Sequence, residues 1–504
     1  MDTVTVNLSE SVGPDRLSAQ DAAFVYAETA DAPMHVGMLG VFEDRGATLA
    51  SVRAHIASRI HQFPRLRQRL AFVPMSKAHP VWVDDEFFDI RNHVDTEPLM
   101  NGADDGRARK LMARVMSAPL RRSRPLWEMW LFKMSDDRLG LIVKIHHCLL
   151  DGVSAVRLAT VLFDARREAP EAEAPSWFPA VSPTPERLLA DAKAESTSRW
   201  QAARETLNGL ALRASERQPV FARASEVATS VAQFAFAALK TKRRARVAPR
   251  VGGHRLFETA SVELADVKQV KSHYATKLND VVLSTVAAGI GTLLRGRGRA
   301  TGDANIKAMV PVSTRGSEGS PSYGNKVSMM AVDLPVDEQP IDELLCKISR
   351  RMTEHKQSGQ ADGADFWIKL AEHIPASFVS LASRAATFQR LVDVVVTNVP
   401  GPQFPLYLLG GELVEVYPFV PLFGGTPLGI ALVSYNGKLF YGLSGDRDST
   451  PDLSTLSRAV ADSFDALRAT LNTNKGDTDV AIDNGCGIPS THGASQTQDG
   501  RPRL

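Results

Sequence analysis

Residues 167–185 read REAPEAEAPSWFPAVSPTP, and this interruption constrains the fold more than any other feature of the sequence. A stretch so rich in Pro, Glu and Ala cannot bury enough apolar surface to form core, so it is expected as an exposed linker. It divides a chain of 504 residues, longer than one hydrophobic core usually supports. Before it, helical periodicity mixes with strand-like runs, including residues 80–83 and 141–147, as in an α/β unit. Residues 186–246 are rich in Ala, Arg, Glu and Leu with the single proline Pro219, which predicts two helices broken near that point. A second α/β unit follows, in which Asn436 and Gly437, set between GIALVSY and KLFYGLSG, predict a two-residue hairpin turn. The expected division is therefore 1–166, a linker over 167–251, a second domain over 252–471, and a disordered tail over 472–504, rich in Asn, Asp, Gly, Thr and Ser.

Charge and cysteine usage narrow the function classes. The 59 basic and 57 acidic residues leave a formal charge of +2, without the basic field of a nucleic-acid binder, so no nucleic-acid partner is expected. Cys148, Cys346 and Cys486 are odd in number and widely spaced, which fits a reducing compartment, no disulfide framework and no metal-binding pair. The opening MDTVTVNLSE lacks a basic start followed by an apolar core, so a secretory signal is not expected. Two uncharged stretches, residues 394–411 and 416–437, are interrupted by six prolines and read as strands joined by turns, not as membrane spans. The uncharged run 227–239 precedes Lys240, Lys242, Arg243, Arg244 and Arg246. It is too short to span a bilayer and fits either a helix lying on an anionic membrane surface or a docked helix with a solvated charged end.

The chemistry concentrates in LIVKIHHCLLDG, which places His146, His147, Asp151 and Gly152 at the end of an apolar, β-favouring run. Alternation along a strand puts Leu141, Val143, Ile145 and His147 on one face and Ile142, Lys144 and His146 on the other. The more apolar side favours a neutral imidazole at His147, the state a general base requires. Such a base suits removal of a proton from a hydroxyl as its oxygen attacks an activated carbonyl such as a thioester. Cys148 invites a Cys-His nucleophile, but adjacent strand residues point apart. The same divergence, with no third ligand, argues against a metal site. Asp151 reads equally as an N-cap of the following helix or as a site residue.

HHCLLDG matches the HHxxxDG motif of the coenzyme A dependent acyltransferase superfamily, which includes chloramphenicol acetyltransferase and the condensation domains of peptide synthetases. Further segments resemble the bacterial wax ester synthase and acyl-CoA:diacylglycerol acyltransferase family: LSAQDAAFVYAETADAPMHVG at 17–37, Pro125, Leu126 and Trp127 within APLRRSRPLWEMWLF, LNDVVLSTVAAGI with Asn279 and Asp280, then VPVSTR, YGNKVS and TNVPGP. They run in the family's order over roughly residues 16–470.

The resemblance implies an α/β fold of two chloramphenicol-acetyltransferase-like domains in one chain, with mixed sheets covered by helices and a helical linker between them. It implies His147 as general base near their junction, His146 and Gly152 in supporting roles, and Asp151 holding the shape of the site. Asn279 and Asp280 also read as an ordinary helix start; the resemblance adds an Asn279 amide that stabilises the oxyanion or supports the histidine. Pro125, Leu126 and Trp127 read as the start of an edge strand filling core. The implied reaction moves a fatty acyl group from acyl-CoA, a substrate and not a bound cofactor, to diacylglycerol or a long-chain alcohol. No metal or other cofactor is expected, and the site is expected in the cytoplasm, peripheral to the inner membrane face or a lipid droplet. A carrier-linked condensation enzyme and a catalytically silent lipid-binding protein are the alternatives.

Overall fold

The computed structural model describes residues 15–97, 102–149, 158–169, 173–197, 251–313, 327–357, 392–422 and 425–473, with single positions 376, 379, 380, 383 and 486. The run 227–239 with its basic end, Asp151 and Gly152, and most of the tail lie outside these residues.

Two six-stranded mixed sheets form the frame. The first half of the chain supplies β1 (His35–Glu43), β2 (Gln68–Ala71), β3 (Val81–Asp84), β4 (Val94–Thr96), β5 (Trp127–Lys133) and β6 (Arg138–His146). The second half supplies β7 (Arg255–Glu263), β8 (Asn305–Ser313), β9 (Val327–Pro335), β10 (Val394–Pro400), β11 (Tyr407–Leu408), β12 (Gly411–Phe419), β13 (Leu428–Tyr435) and β14 (Lys438–Asp446). One sheet has the order β11-β12-β1-β6-β5-β4 and the other β7-β14-β13-β10-β8-β9, while β2 and β3 make a separate hairpin. Parallel pairing occurs between β4 and β5 and on both sides of β10, so both sheets are mixed, as expected. The turn between β13 and β14 has positive φ at Asn436 (43°) and Gly437 (84°), which the sequence pair anticipated.

The sheets do not follow the expected division of the chain. Residues 407–419, placed by sequence in the second domain, form β11 and β12 of the first sheet. There β12 lies antiparallel to β1, from Gly37 opposite Phe419 to Val41 opposite Glu415. This pairing supplies hydrogen-bond partners to an edge that β1 would otherwise expose. The Tyr435 hydroxyl locks the exchange by accepting from Leu406 N–H at 2.8 Å and donating to the Leu413 carbonyl at 3.0 Å. At Gly442 the backbones of β14 and β12 come so close that a Cβ would lie 1.7 Å from the Pro418 carbonyl oxygen. Only glycine permits this approach.

Helices close both sheets. We label α1 (Ala19–Ala27), α2 (Leu49–Arg59), α3 (Asp105–Ser117), α4 (Leu264–His273), α5 (Leu278–Gly296), α6 (Ile341–Gln357) and α7 (Leu453–Thr473). The apolar face of α3, with Leu111, Met112 and Met116, fills the space between Ile142 of the first sheet and Phe257 of the second. Nearly all of α5 is buried at the centre of the second unit among α4, α6 and α7. No single described helix is long and apolar enough to cross a membrane. The linker is largely exposed over residues 173–183, as its composition predicts, and residues 185–197 are helical, with Leu188 and Ala192 packed on the β2–β3 hairpin.

Two expectations are corrected. Cys346 on α6 is disulfide-bonded to Cys486, with Cα atoms 5.0 Å apart, so the odd cysteine count concealed a bridge of 140 residues' separation. Cys486 is also buried in the second unit's core, so the tail is anchored at that point. Trp127, fully buried, opens β5, which lies inside the sheet between β6 and β4 and not at its edge.

Candidate active site

The alternation of β6 follows the sequence as far as His146: Leu141, Val143 and Ile145 join the core around Trp127, while Ile142 faces α3. The strand then stops one residue earlier than expected. His147–Leu149 form a 3-10 turn, and the His147 N–H donates to the Met34 carbonyl at 2.8 Å. Strand alternation therefore does not set the direction of His147. Its half-buried ring stacks on Phe24 of α1, with centroids 3.9 Å apart and planes 8° from parallel. The stack covers one face of the imidazole.

His146 turns into a buried charged cluster. Its Nδ1 accepts from the Cys148 N–H at 3.1 Å, which assigns the ring proton to Nε2. That nitrogen lies 3.5 Å from Glu28 Oε1, at the long limit of a hydrogen bond. The same oxygen accepts from the Met34 N–H at 3.2 Å and lies 3.3 Å from His35 Nε2. The other carboxylate oxygen accepts from Arg122 Nη2 at 2.8 Å, and Arg122 also donates to the Val25 carbonyl at the end of α1 at 2.9 Å. β1 and β6 bring the histidines together, because His35 is directly opposite His146 in their antiparallel register.

Burial by itself would raise the Glu28 pKa, but the hydrogen bonds from His146, His35 and Arg122 outweigh it and hold the carboxyl well below the usual carboxylate range. His35 is fully buried, and burial, with the nearby Lys144 charge, pushes it down to about 4 against the opposing hydrogen bond to Glu28, so it is neutral near pH 7. Lys144 itself is buried, its Nζ donating to the Ala118 carbonyl and lying 3.6 Å from Glu128 Oε2. Desolvation lowers the Lys144 pKa, against the Glu128 charge.

Cys148 is buried and desolvation raises its thiol well above the ordinary value, so it carries no thiolate for a nucleophilic role. The strand geometry first used against that role does not apply in a 3-10 turn; burial does. Asp280 is structural: its Oδ2 accepts from the Lys277 N–H at 3.0 Å and from Ser349 of α6 at 2.9 Å. Asn279 sits half-buried in the first turn of α5, and no described hydrogen bond joins it to the histidines. Among the described residues no three His, Cys, Asp or Glu side chains converge as a metal site.

Sequence reasoning placed the histidine pair but assigned no role to Phe24, Glu28, His35 or Arg122. All four fall in the quoted segments 17–37 and 118–132. The available signal was a glutamate followed by a histidine in a largely apolar N-terminal stretch; its meaning depends on the β1–β6 register, which is a long-range property.

Comparison with known proteins agrees with this architecture. Residues 17–282 match the wax ester synthase/diacylglycerol acyltransferase catalytic domain, and residues 323–468 match the C-terminal domain of the same family. The probable diacylglycerol O-acyltransferase tgs1 of Mycobacterium tuberculosis is 29% identical over 467 residues, covering 90% of this chain and 96% of that protein. The probable diacylglycerol O-acyltransferase tgs2 of the same species is 30% identical over 460 residues, covering 88% and 96%. Among solved structures, the wax ester synthase/diacylglycerol acyltransferase of Marinobacter aquaeolei VT8 superposes with a TM-score of 0.64 at 26% identity, covering 91% of this chain and all of that one. The starter condensation domain of rhizomide synthetase shares the fold, with a TM-score of 0.53 at 16% identity. With a histidine pair at the C-terminal end of β6 and family matches spanning both halves, the chain belongs to the wax ester synthase/diacylglycerol acyltransferase family.

Proposed function

We propose that this acyltransferase esterifies diacylglycerol with a fatty acyl group from acyl-CoA, forming triacylglycerol, and that long-chain alcohols are its second class of acceptor. The observation that carries the mechanism is the placement of His147, half-buried, stacked on Phe24 and tethered through its backbone to Met34. The imidazole takes the proton of the acceptor hydroxyl as that oxygen bonds to the thioester carbonyl carbon. The tetrahedral oxyanion collapses, the carbon–sulfur bond breaks, and the proton on His147 passes to the departing coenzyme A sulfur. No covalent enzyme intermediate forms.

His146, with its proton on Nε2 toward Glu28, holds the turn that carries His147; by resemblance Asp151 holds the shape of the site and Gly152 has a supporting role. Asn279 is assigned to the oxyanion or to support of the base, since its amide makes no side-chain hydrogen bond among the described residues. Product and acceptor are insoluble in water, which supports a reaction at a membrane or droplet surface; the cytoplasmic side is part of the same proposal.

The test is coenzyme A release from palmitoyl-CoA with diacylglycerol, hexadecanol or no acceptor, for the wild type and His147→Ala. Acceptor-dependent release should fall by roughly 10²- to 10⁴-fold in the variant, the range a general base contributes. Unchanged transfer by a folded His147→Ala protein refutes the mechanism.

A further inference from the structure

The loop that joins α3 to β5 turns one side toward the histidine cluster. Its Ala118 carbonyl accepts from Lys144, its Leu120 N lies 3.4 Å from the His35 ring, Arg122 binds Glu28, and the Leu126 carbonyl accepts from the His146 N–H at 3.0 Å. On the other side Arg121 and Arg124 line an open pocket of about 190 Å³ together with Asn92, His93, Leu120 and Glu128. Neither guanidinium has a hydrogen bond or ion pair with any described side chain, whereas Arg122 between them is committed to Glu28. Glu128 is the one carboxylate in the lining, and Lys144 at 3.6 Å offsets its charge. The pocket therefore presents two uncommitted planar cations and an amide, a donor set matched to phosphate oxygens. It is too small and too polar for an acyl chain.

We infer that Arg121 and Arg124 form an anion subsite that grips a phosphate of the acyl-CoA donor, which rests on the acyl-CoA reading above. Trp127 at the pocket is in register with Ile145, two residues before His147. One strand spacing and two residues of rise put the pocket on the order of 10 Å from the base, a span that a flexible pantetheine arm covers. The phosphate end would be held at the surface while the thioester reaches His147, with the loop itself linking the two sites.

The experiment compares wild type, Arg121→Ala/Arg124→Ala and Arg121→Lys/Arg124→Lys as full chains, with palmitoyl-CoA and with palmitoyl-pantetheine, which carries no phosphate. The alanine pair should raise KM for palmitoyl-CoA roughly tenfold or more, the scale of losing hydrogen bonds to a charged group. Its kcat should hold, palmitoyl-pantetheine should be unaffected, and the lysine pair should recover part of the loss. An equal loss with both donors, or none with either, overturns the inference. Calorimetric binding of coenzyme A against pantetheine is read without turnover. A chain that binds coenzyme A through these arginines yet transfers no acyl group keeps the subsite and loses the acyltransferase reading. Binding to phosphatidylglycerol vesicles that falls in the alanine pair while coenzyme A binding is unchanged would mean a lipid headgroup site and would also overturn it.

Discussion

Glutamine at position 28 keeps the shape of the side chain and removes the negative charge at the centre of the His35, His146 and Arg122 cluster. One carboxylate oxygen serves Met34, His35 and His146, and the other serves Arg122. A glutamine has a single acceptor oxygen, so its NH2 group must face one set of N–H donors. Arg122 is the partner able to swing away, since its side chain is 41% exposed. Removing one partner of a buried ion pair costs about 3–5 kcal/mol; exposure of Arg122 and the neutral state of His35 reduce that to about 2 kcal/mol. Arg122 also holds the end of α1, so the Phe24 stack on His147 loosens and kcat should fall roughly tenfold or more. Because the carboxyl pKa is depressed from its ordinary 4.5, its stabilising effect is present above that value and is lost as pH falls toward the folded-state pKa. Urea unfolding of wild type and Glu28→Gln at pH 7.5 and pH 4 measures this. A difference below about 0.5 kcal/mol at pH 7.5, the scale of an ordinary surface change, or one that grows on acidification, refutes the account.

His35, depressed to about 4 from 6.5, binds fewer protons folded than unfolded, so its contribution is complete above the unfolded value and is lost as pH falls; about 2 kcal/mol should be gone by pH 5. Urea midpoints at pH 7.5, 6 and 5 should show that slope, and His35→Gln should flatten it. Asp280→Ala loses a helix-start acceptor and the Ser349 bond, which predicts about 1–2 kcal/mol of destabilisation with kcat unchanged; a large fall in kcat from folded protein would give Asp280 a role in the reaction. Non-reducing peptide mapping should recover Cys346 joined to Cys486, and Cys346→Ser should lower stability by about 2–4 kcal/mol; free thiols at both positions contradict the pairing. Gly442→Ala forces a methyl group against the Pro418 carbonyl and should cost about 3 kcal/mol or more, seen as a lower Tm; a tolerated alanine would mean the two sheets separate easily.

Local chemistry made much of this molecule legible. The Asn436-Gly437 turn, the apolar run of β6, the start of α5 and the exposed linker each follow from residues close together in the sequence. What the sequence concealed depends on partners far along the chain. No local pattern says that residues 407–419 will cross to pair with β1, since a strand's propensity is silent about its neighbour. The bridge from Cys346 to Cys486 is hidden for the same reason.

The candidate site shows the limit most clearly. His147 stands in a motif, yet strand alternation does not aim its side chain, because β6 ends at His146. One face of its ring rests on Phe24, and Phe24 is placed by α1, whose end is pinned by Arg122 from a loop 94 positions beyond Glu28. The proposed base needs its ring held in one plane by supports on both sides. Here they are an aromatic face from α1 and a backbone hydrogen bond to Met34, both inside the segment that ends in PMHVG. Phe24→Ala should accordingly lower kcat more than it raises KM for the acyl donor, and Phe24→Tyr, which keeps the stack, should restore kcat. A Phe24→Leu variant that keeps kcat as well as Phe24→Tyr would mean that the ring only fills space.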